Sequence, residues 1–196
     1  VCFSQMLNCM GYLKELGTAW WLTDNQKYSQ CAVEIVDSFI KSSPMPTVAR
    51  RSWMAHKIPD GMNSVSSTGS SWGTMLEIAE RMGNWLVFNE CFIDSPEVSP
   101  EFYYRFLSSL LEQARYTYLI ELYGGYQAGN WHLIENSNFA RVAIMFPEFK
   151  ESDNWWKTAI ERMTKKAETE VFPDGGYIER CISYHNWCLQ KFLEVS

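Results

Sequence analysis

Apolar residues recur at three- and four-residue intervals along almost the whole chain, as at Met6, Met10 and Leu13 and again at Val33, Val36 and Ile40. That spacing lines one face of an α-helix, and it predicts an all-α protein of about seven helices. Thr23-Asp24-Asn25-Gln26 has the form of a capping box and predicts a helix to about Lys41, stopped before Pro44 and Pro46. Ser99-Pro100-Glu101 places a cap, a first-turn proline and an acid in succession, opening a long helix that should end at Gly124-Gly125. The Ser/Gly/Thr-rich stretch from Ser64 to Ser71 reads as a loop, followed by a helix from about Trp72 to Cys91 with weak points at Gly73 and Gly83. Further helices are expected from near Trp131 to before Pro147, from a Ser152-Asp153-Asn154 cap to about Glu170, and from near Ser183, after a turn at Pro173-Asp174-Gly175-Gly176.

Ala19-Trp20-Trp21-Leu22-Thr23 leading into Tyr28 and Ala32 is faintly echoed by Ile144-Met145-Phe146-Pro147 leading into Trp155 and Ala159. The echo fits stacked helical hairpins, each pair burying a face against the next, as in solenoids and toroids of paired helices. A chain of 196 residues with 46% apolar and 15% aromatic content can bury one sizeable core or supply a large piece of a bigger domain. It opens at Val1 with no initiator Met, basic leader or cleavage site and stops at Ser196 directly after an apolar run, edges that read as those of an excised fragment.

Charge and cysteine content narrow the partners. No stretch approaches the roughly 20 uninterrupted apolar residues of a membrane span, so no membrane partner is expected. A net charge of −6 argues against nucleic acid, whose binding rests on neutralising many phosphates. The modest basic cluster of Arg50, Arg51 and Lys57 around Trp53 and His56 reads as a solvated loop. The six cysteines form no C-x-x-C pair and have no histidine at zinc spacing, so no metal or other cofactor is expected and buried thiols are the default. Cys2 and Cys9, like Cys181 and Cys188, stand seven residues apart, too far to bridge within a straight helix.

The candidate chemistry lies in the last third. Gly129-Asn130-Trp131-His132-Leu133-Ile134-Glu135 is followed by Ser183-Tyr184-His185-Asn186-Trp187, whose tyrosine lies 54 residues after the asparagine. Asn, His, Glu and Tyr are the groups that removal of a proton beside a carboxylate requires: one neutralises the charge while others act as base and acid. A helix starting near Trp131 would put His132 and Glu135 on one face and Asn130 at its anion-favouring N-terminal mouth. The same residues equally admit a plain helix cap at Asn130, a satisfied histidine at His132, a solvated Glu135, and aromatic packing for Tyr184.

With these stretches, Met145-Phe146-Pro147-Glu148-Phe149-Lys150, Trp155-Trp156, Asp174-Gly175-Gly176 and Glu179, and upstream Leu76-Glu77 with Arg81-Met82-Gly83-Asn84-Trp85 and Gly17-Thr18-Ala19-Trp20-Trp21-Leu22-Thr23, most of the chain resembles the toroid domain of heparinase II/III-type polysaccharide lyases. The resemblance implies that residues 1–196 are part of an (α/α) toroid, followed in the parent protein by a C-terminal β-sandwich domain. It implies β-elimination on an anionic uronic-acid polysaccharide, and a periplasmic or secreted location. Tyr184 would be the catalytic tyrosine. Asn130 matches the carboxylate-neutralising asparagine of heparinase III-like members, and His132 and Glu135 match the histidine and glutamate of heparinase II-like members, so the substrate subclass stays open. Arg81, Asn84, Trp85, Trp131, Glu179 and His185 complete the candidate substrate contacts, with Trp187 a further aromatic. Tyrosine ordinarily ionises near pH 10, so it needs nearby positive charge or hydrogen bonds to act as base; His132, His185 and Arg81 are the candidates to supply them. Alginate or another uronate as substrate, and an inactive carbohydrate-binding module, are the competing readings.

Overall fold

The computed structural model describes residues 2–45, 72, 75–123 and 129–196. Among them are eight helices and no strand beyond one isolated bridge. They are α1 (Cys2–Cys9), α2 (Leu13–Thr23), α3 (Gln26–Ser42), α4 (Met75–Phe92), α5 (Pro100–Tyr123), α6 (Asn130–Met145), α7 (Ser152–Glu170) and α8 (Ile182–Leu193). The expected Ser64–Ser71 loop, the weak point at Gly73, the helix stop at Gly124-Gly125 and the basic cluster near Trp53 lie outside the described residues. Among the described residues no helix is long and apolar enough to cross a membrane, and no cluster of His, Cys, Asp or Glu could hold a metal ion.

The chain divides into two compact units, Val1–Tyr123 and Gly124–Ser196. In the first, α4 is the central helix and runs antiparallel to α5. Aromatic rings of α4, and Trp72 ahead of it, meet those of α5 in descending order: Trp72 meets Tyr116 at 5.7 Å, Trp85 stacks on Phe106 at 5.2 Å, and Phe88 meets Phe102 at 5.9 Å. Such offset contacts add to the burial of large apolar area. The long helix α5 opens as its sequence predicts, with the Ser99 hydroxyl accepting from the Phe102 N–H at 3.2 Å. The Thr23 capping box does not form. Thr23 closes α2, Asp24 takes a left-handed conformation, and Asn25 caps α3 by accepting from the Lys27 N–H at 3.2 Å. A two-residue break leaves room for one cap, and the residue adjoining the helix takes it.

Helix α2 lies so close to α4 that a Cβ on Gly17 would fall 2.5 Å from Cys91 Sγ and 2.9 Å from Cys91 Cβ. Alanine there would gain up to about 1 kcal/mol of helix propensity but overpack the contact at about 1–3 kcal/mol. Gly17→Ala is therefore expected to lower stability by about 1–2 kcal/mol in urea unfolding of this chain. A midpoint unchanged from the unsubstituted protein would show that α2 simply shifts outward.

The second unit is built on α6, which is buried around nearly its whole circumference. Against it, α7 packs antiparallel: the Ser152 hydroxyl at the start of α7 donates to the Phe146 carbonyl at 2.7 Å, while Lys166, near its end, reaches Gly129. Ser152 was expected to cap α7 but is instead its first residue, spent on this cross-link. The buried stripe Ser152, Trp155, Ala159, Met163, Lys166 and Glu170 follows helical spacing. The predicted turn at 173–176 forms with Gly175 at φ 86°, flanked by a Val171–Tyr177 bridge, and returns the chain to α8. Cys9, Cys31, Cys91, Cys181 and Cys188 are free thiols, of which Cys188 is buried, Cys31 exposed and the other three half-buried.

Candidate functional site

Helices α6 and α8 lie side by side and run the same way. The Ser137 hydroxyl donates to the Lys191 carbonyl at 3.0 Å across an offset of 54 residues, and Arg141 pairs with Glu194 at 3.4 Å across 53. The same offset sets Asn130 level with Tyr184, each in the first turn of its helix. Two parallel helix N-termini therefore lie at one end of this unit, each carrying the positive end of a helix dipole. An anion is the natural occupant of such a place.

Asn130 does not cap α6. It is the first helical residue, Gly129 is the cap, and the Asn130 side chain is buried. Its Nδ2 donates to Glu179 at 2.9 Å from Oε1 and 2.8 Å from Oε2. Gly129 has φ 95°, a conformation that favours glycine, and a Cβ there would crowd Glu179 Oε1 at 3.0 Å. Both backbone polar atoms of Gly129 are held from α7: its N–H donates to Glu170 Oε2 at 3.2 Å and its carbonyl accepts from Lys166 Nζ at 3.0 Å. Lys166 and Glu170 are themselves fully buried and paired at 2.8 Å. The Tyr177 hydroxyl adds a 2.7 Å bond to Glu170. Burial and that carboxylate together hold the Tyr177 phenol far above its ordinary ionisation range.

The other candidates separate. His132 and Glu135 are buried on α6 and engaged by neighbours, which corrects the reading of a solvated Glu135. Trp131 is 53% exposed and Tyr184 43% exposed, the latter stacked against Trp187 with ring centroids 6.4 Å apart. Tyr184, Trp131 and the half-buried Trp187 thus present aromatic surface at the same end of the unit. His185 borders a cavity of about 640 Å³ with Arg180, Phe172, Asp174, Cys181 and Ile182. Arg180, held at φ 53°, lies over the Phe172 ring at 5.9 Å. Cys181 precedes α8, and hydrogen bonds from the Ser183 hydroxyl and the backbone N–H groups of Tyr184 and Ser183 hold its thiol below the ordinary range.

Arg81, Asn84 and Trp85 belong to the first unit, and there they are structural. Trp85 is fully buried, with Phe106 stacked on it and Phe39 edge-on at 6.0 Å, so it has no face to offer a sugar. Arg81 is fully buried, donates to Gln113 at 2.8 Å and lies over the Phe39 ring at 4.5 Å; burial pulls its guanidinium down to about 10. Asn84 ties α4 to the end of α1 by donating to the Cys9 carbonyl at 2.7 Å. These placements put Arg81 and Trp85 inside the first unit and commit the amide nitrogen of the half-buried Asn84 to the end of α1. Sequence reasoning passed over Lys166, Glu170, Tyr177 and Arg180. The first two were signalled by their positions on the apolar stripe of α7, where a charged residue must be paired.

Comparison with known proteins follows the same lines. The family described as Heparinase II/III N-terminus matches residues 3–196. The heparin-sulfate lyase of Bacteroides thetaiotaomicron is 25% identical over 178 residues, covering 90% of this chain and 22% of that protein. The heparin-sulfate lyase of Bacteroides stercoris is 28% identical over 181 residues, covering 92% of this chain and 26% of that one. The crystal structure of heparinase III shares the fold with a TM-score of 0.77 at 22% identity, over 96% of this chain and 26% of that chain. The fold class is thus all-α, with paired antiparallel helices of the α/α toroid kind. The chain spans about a quarter of the length of the curated relatives it matches.

Proposed function

Because this chain belongs to the heparinase II/III family, we propose that it forms part of the toroid of a polysaccharide lyase, one that cleaves a uronic-acid polysaccharide of the heparin or heparan sulfate class by β-elimination. The observation that supports this reading best is the parallel register that sets Asn130 and Tyr184 level at two helix N-termini. In elimination, the C5 proton of the uronate leaves only when the adjacent carboxylate is neutralised, since the developing negative charge spreads onto it. Asn130 supplies an amide N–H to that carboxylate, and the two helix ends add their dipoles. Tyr184, exposed in the first turn of α8, takes the C5 proton on its phenolate oxygen and passes it to the departing C4 oxygen as general acid. The named activity of the Bacteroides proteins, heparin-sulfate lyase, agrees with two helix N-termini that favour an anion.

The whole enzyme would include a β-sandwich domain following the toroid, and would work in the periplasm or outside the cell, where long polysaccharides are met. The test is absorbance of the C4=C5 unsaturated uronate during incubation with heparan sulfate, chondroitin, hyaluronan and alginate. It uses both this chain and the protein extended to its relatives' length. Product from the extended protein on heparan sulfate is the expected result, and silence across the whole panel would refute the reading.

Arg180 and His185, bordering one cavity beside Tyr184, are suited to an anionic substituent on the sugar next to the reacting one. Arg180→Ala is expected to raise KM on heparan sulfate about three- to tenfold with kcat nearly unchanged, as loss of one charge-assisted hydrogen bond predicts. An unchanged KM would remove Arg180 from the substrate path.

A further inference from the structure

Asn130 Nδ2 stands almost equidistant from the two Glu179 oxygens, at 2.9 and 2.8 Å. One N–H pointed between both oxygens satisfies those distances and leaves the second N–H of the amide unspent. The partner acceptor, Asn130 Oδ1, is buried without a hydrogen bond, so Glu179 is the group that decides how this carboxamide is turned. Gly129 leaves Glu179 the room for this approach, since a Cβ there would come 3.0 Å from its Oε1, and Gly129 is in turn gripped at both its N–H and its carbonyl by Glu170 and Lys166. A buried amide held this way costs no reorganisation when an anion arrives.

We propose that Glu179 is a positioning residue: it pins the Asn130 carboxamide by one N–H so that the other is delivered in a fixed direction to the substrate's carboxylate. This rests on the lyase reading and assigns Glu179 a role behind Asn130 instead of contact with the sugar. A second carboxylate beside the incoming one is electrostatically unfavourable by itself. The N-termini of α6 and α8 offset it, and Glu179 lies two residues before the cap of α8.

The experiment is a double-mutant cycle in the protein extended to its relatives' length, following unsaturated product from heparan sulfate. Glu179→Ala is expected to lower kcat about ten- to hundredfold, the scale of a misplaced catalytic group, with KM changed less than threefold. Glu179→Gln, which keeps an acceptor oxygen at the same reach, should lose less. In an Asn130→Ala background either substitution should cost less than a further threefold, because the residue it acts through is gone. A Glu179→Ala enzyme within twofold of the unsubstituted protein, or losses that multiply in the double variant, overturns the proposal. Should Glu179→Ala fail to fold, the Gln variant carries the same comparison. Absence of product from the unsubstituted protein would instead overturn the lyase reading, and this proposal with it; full activity in Asn130→Ala would remove the role assigned to Asn130 and to Glu179 together.

Discussion

Replacing Tyr184 by phenylalanine in the protein at its relatives' full length is expected to cut kcat for unsaturated product by about 10²–10⁴-fold, the contribution of a positioned acid or base. Binding of heparan sulfate oligosaccharides should change little. The physical ground is that the phenylalanine ring keeps the stack on Trp187, while only the hydroxyl of this 43% exposed residue is lost. The substitution removes no buried hydrogen bond, so the unfolding midpoint should hold within a degree or two. A variant with activity within twofold of the original would take the proton-transfer role away from Tyr184. A variant that loses binding as much as turnover would recast the residue as a sugar-stacking platform.

The second large effect is on stability. Lys166→Met should destabilise this chain by about 3–5 kcal/mol, because it leaves the buried carboxylate of Glu170 without its cation. The change also strips a hydrogen bond from the Gly129 carbonyl. Glu170 would keep the donors on Tyr177 and Gly129, which soften the loss but do not balance a charge. The combined variant Lys166→Met with Glu170→Gln should recover a substantial part of the stability, since no uncompensated charge then remains inside. Urea unfolding of the three proteins measures this directly. A single variant that loses less than about 1 kcal/mol, on the scale of an exposed pair, would mean that the pair is reached by water.

A correct helix pattern and two misplaced caps come from the same stretches of sequence. Ser99 was read as a cap and is one, because a hydroxyl directly before a first-turn proline has a single nearby use. Thr23 and Ser152 carried similar signals and do other things, one closing the preceding helix and one bonding across to Phe146. For Asn130 the reading as a cap failed for a longer-range reason: its partner, Glu179, lies 49 residues away. Arg81 and Trp85 sit in a stretch that resembles the family as closely as any other, yet inclusion in a family motif does not distinguish a residue that holds the domain together from one that meets its substrate.

The sequence by itself determined the all-α class, the approximate limits of most described helices, the turn before α8 and the 54-residue spacing of Asn130 and Tyr184. These depend on local backbone preference and on the 3.6-residue period, both of which are written in neighbouring positions. Only the tertiary structure decided that α6 and α8 run parallel so that this spacing becomes one level. It likewise decided that Lys166 and Glu170 pair inside the unit and that Glu179 turns the Asn130 amide. Periodicity says which face of a helix is buried; which polar groups meet there depends on chain segments far apart in sequence and on the requirement that each buried charge find its partner.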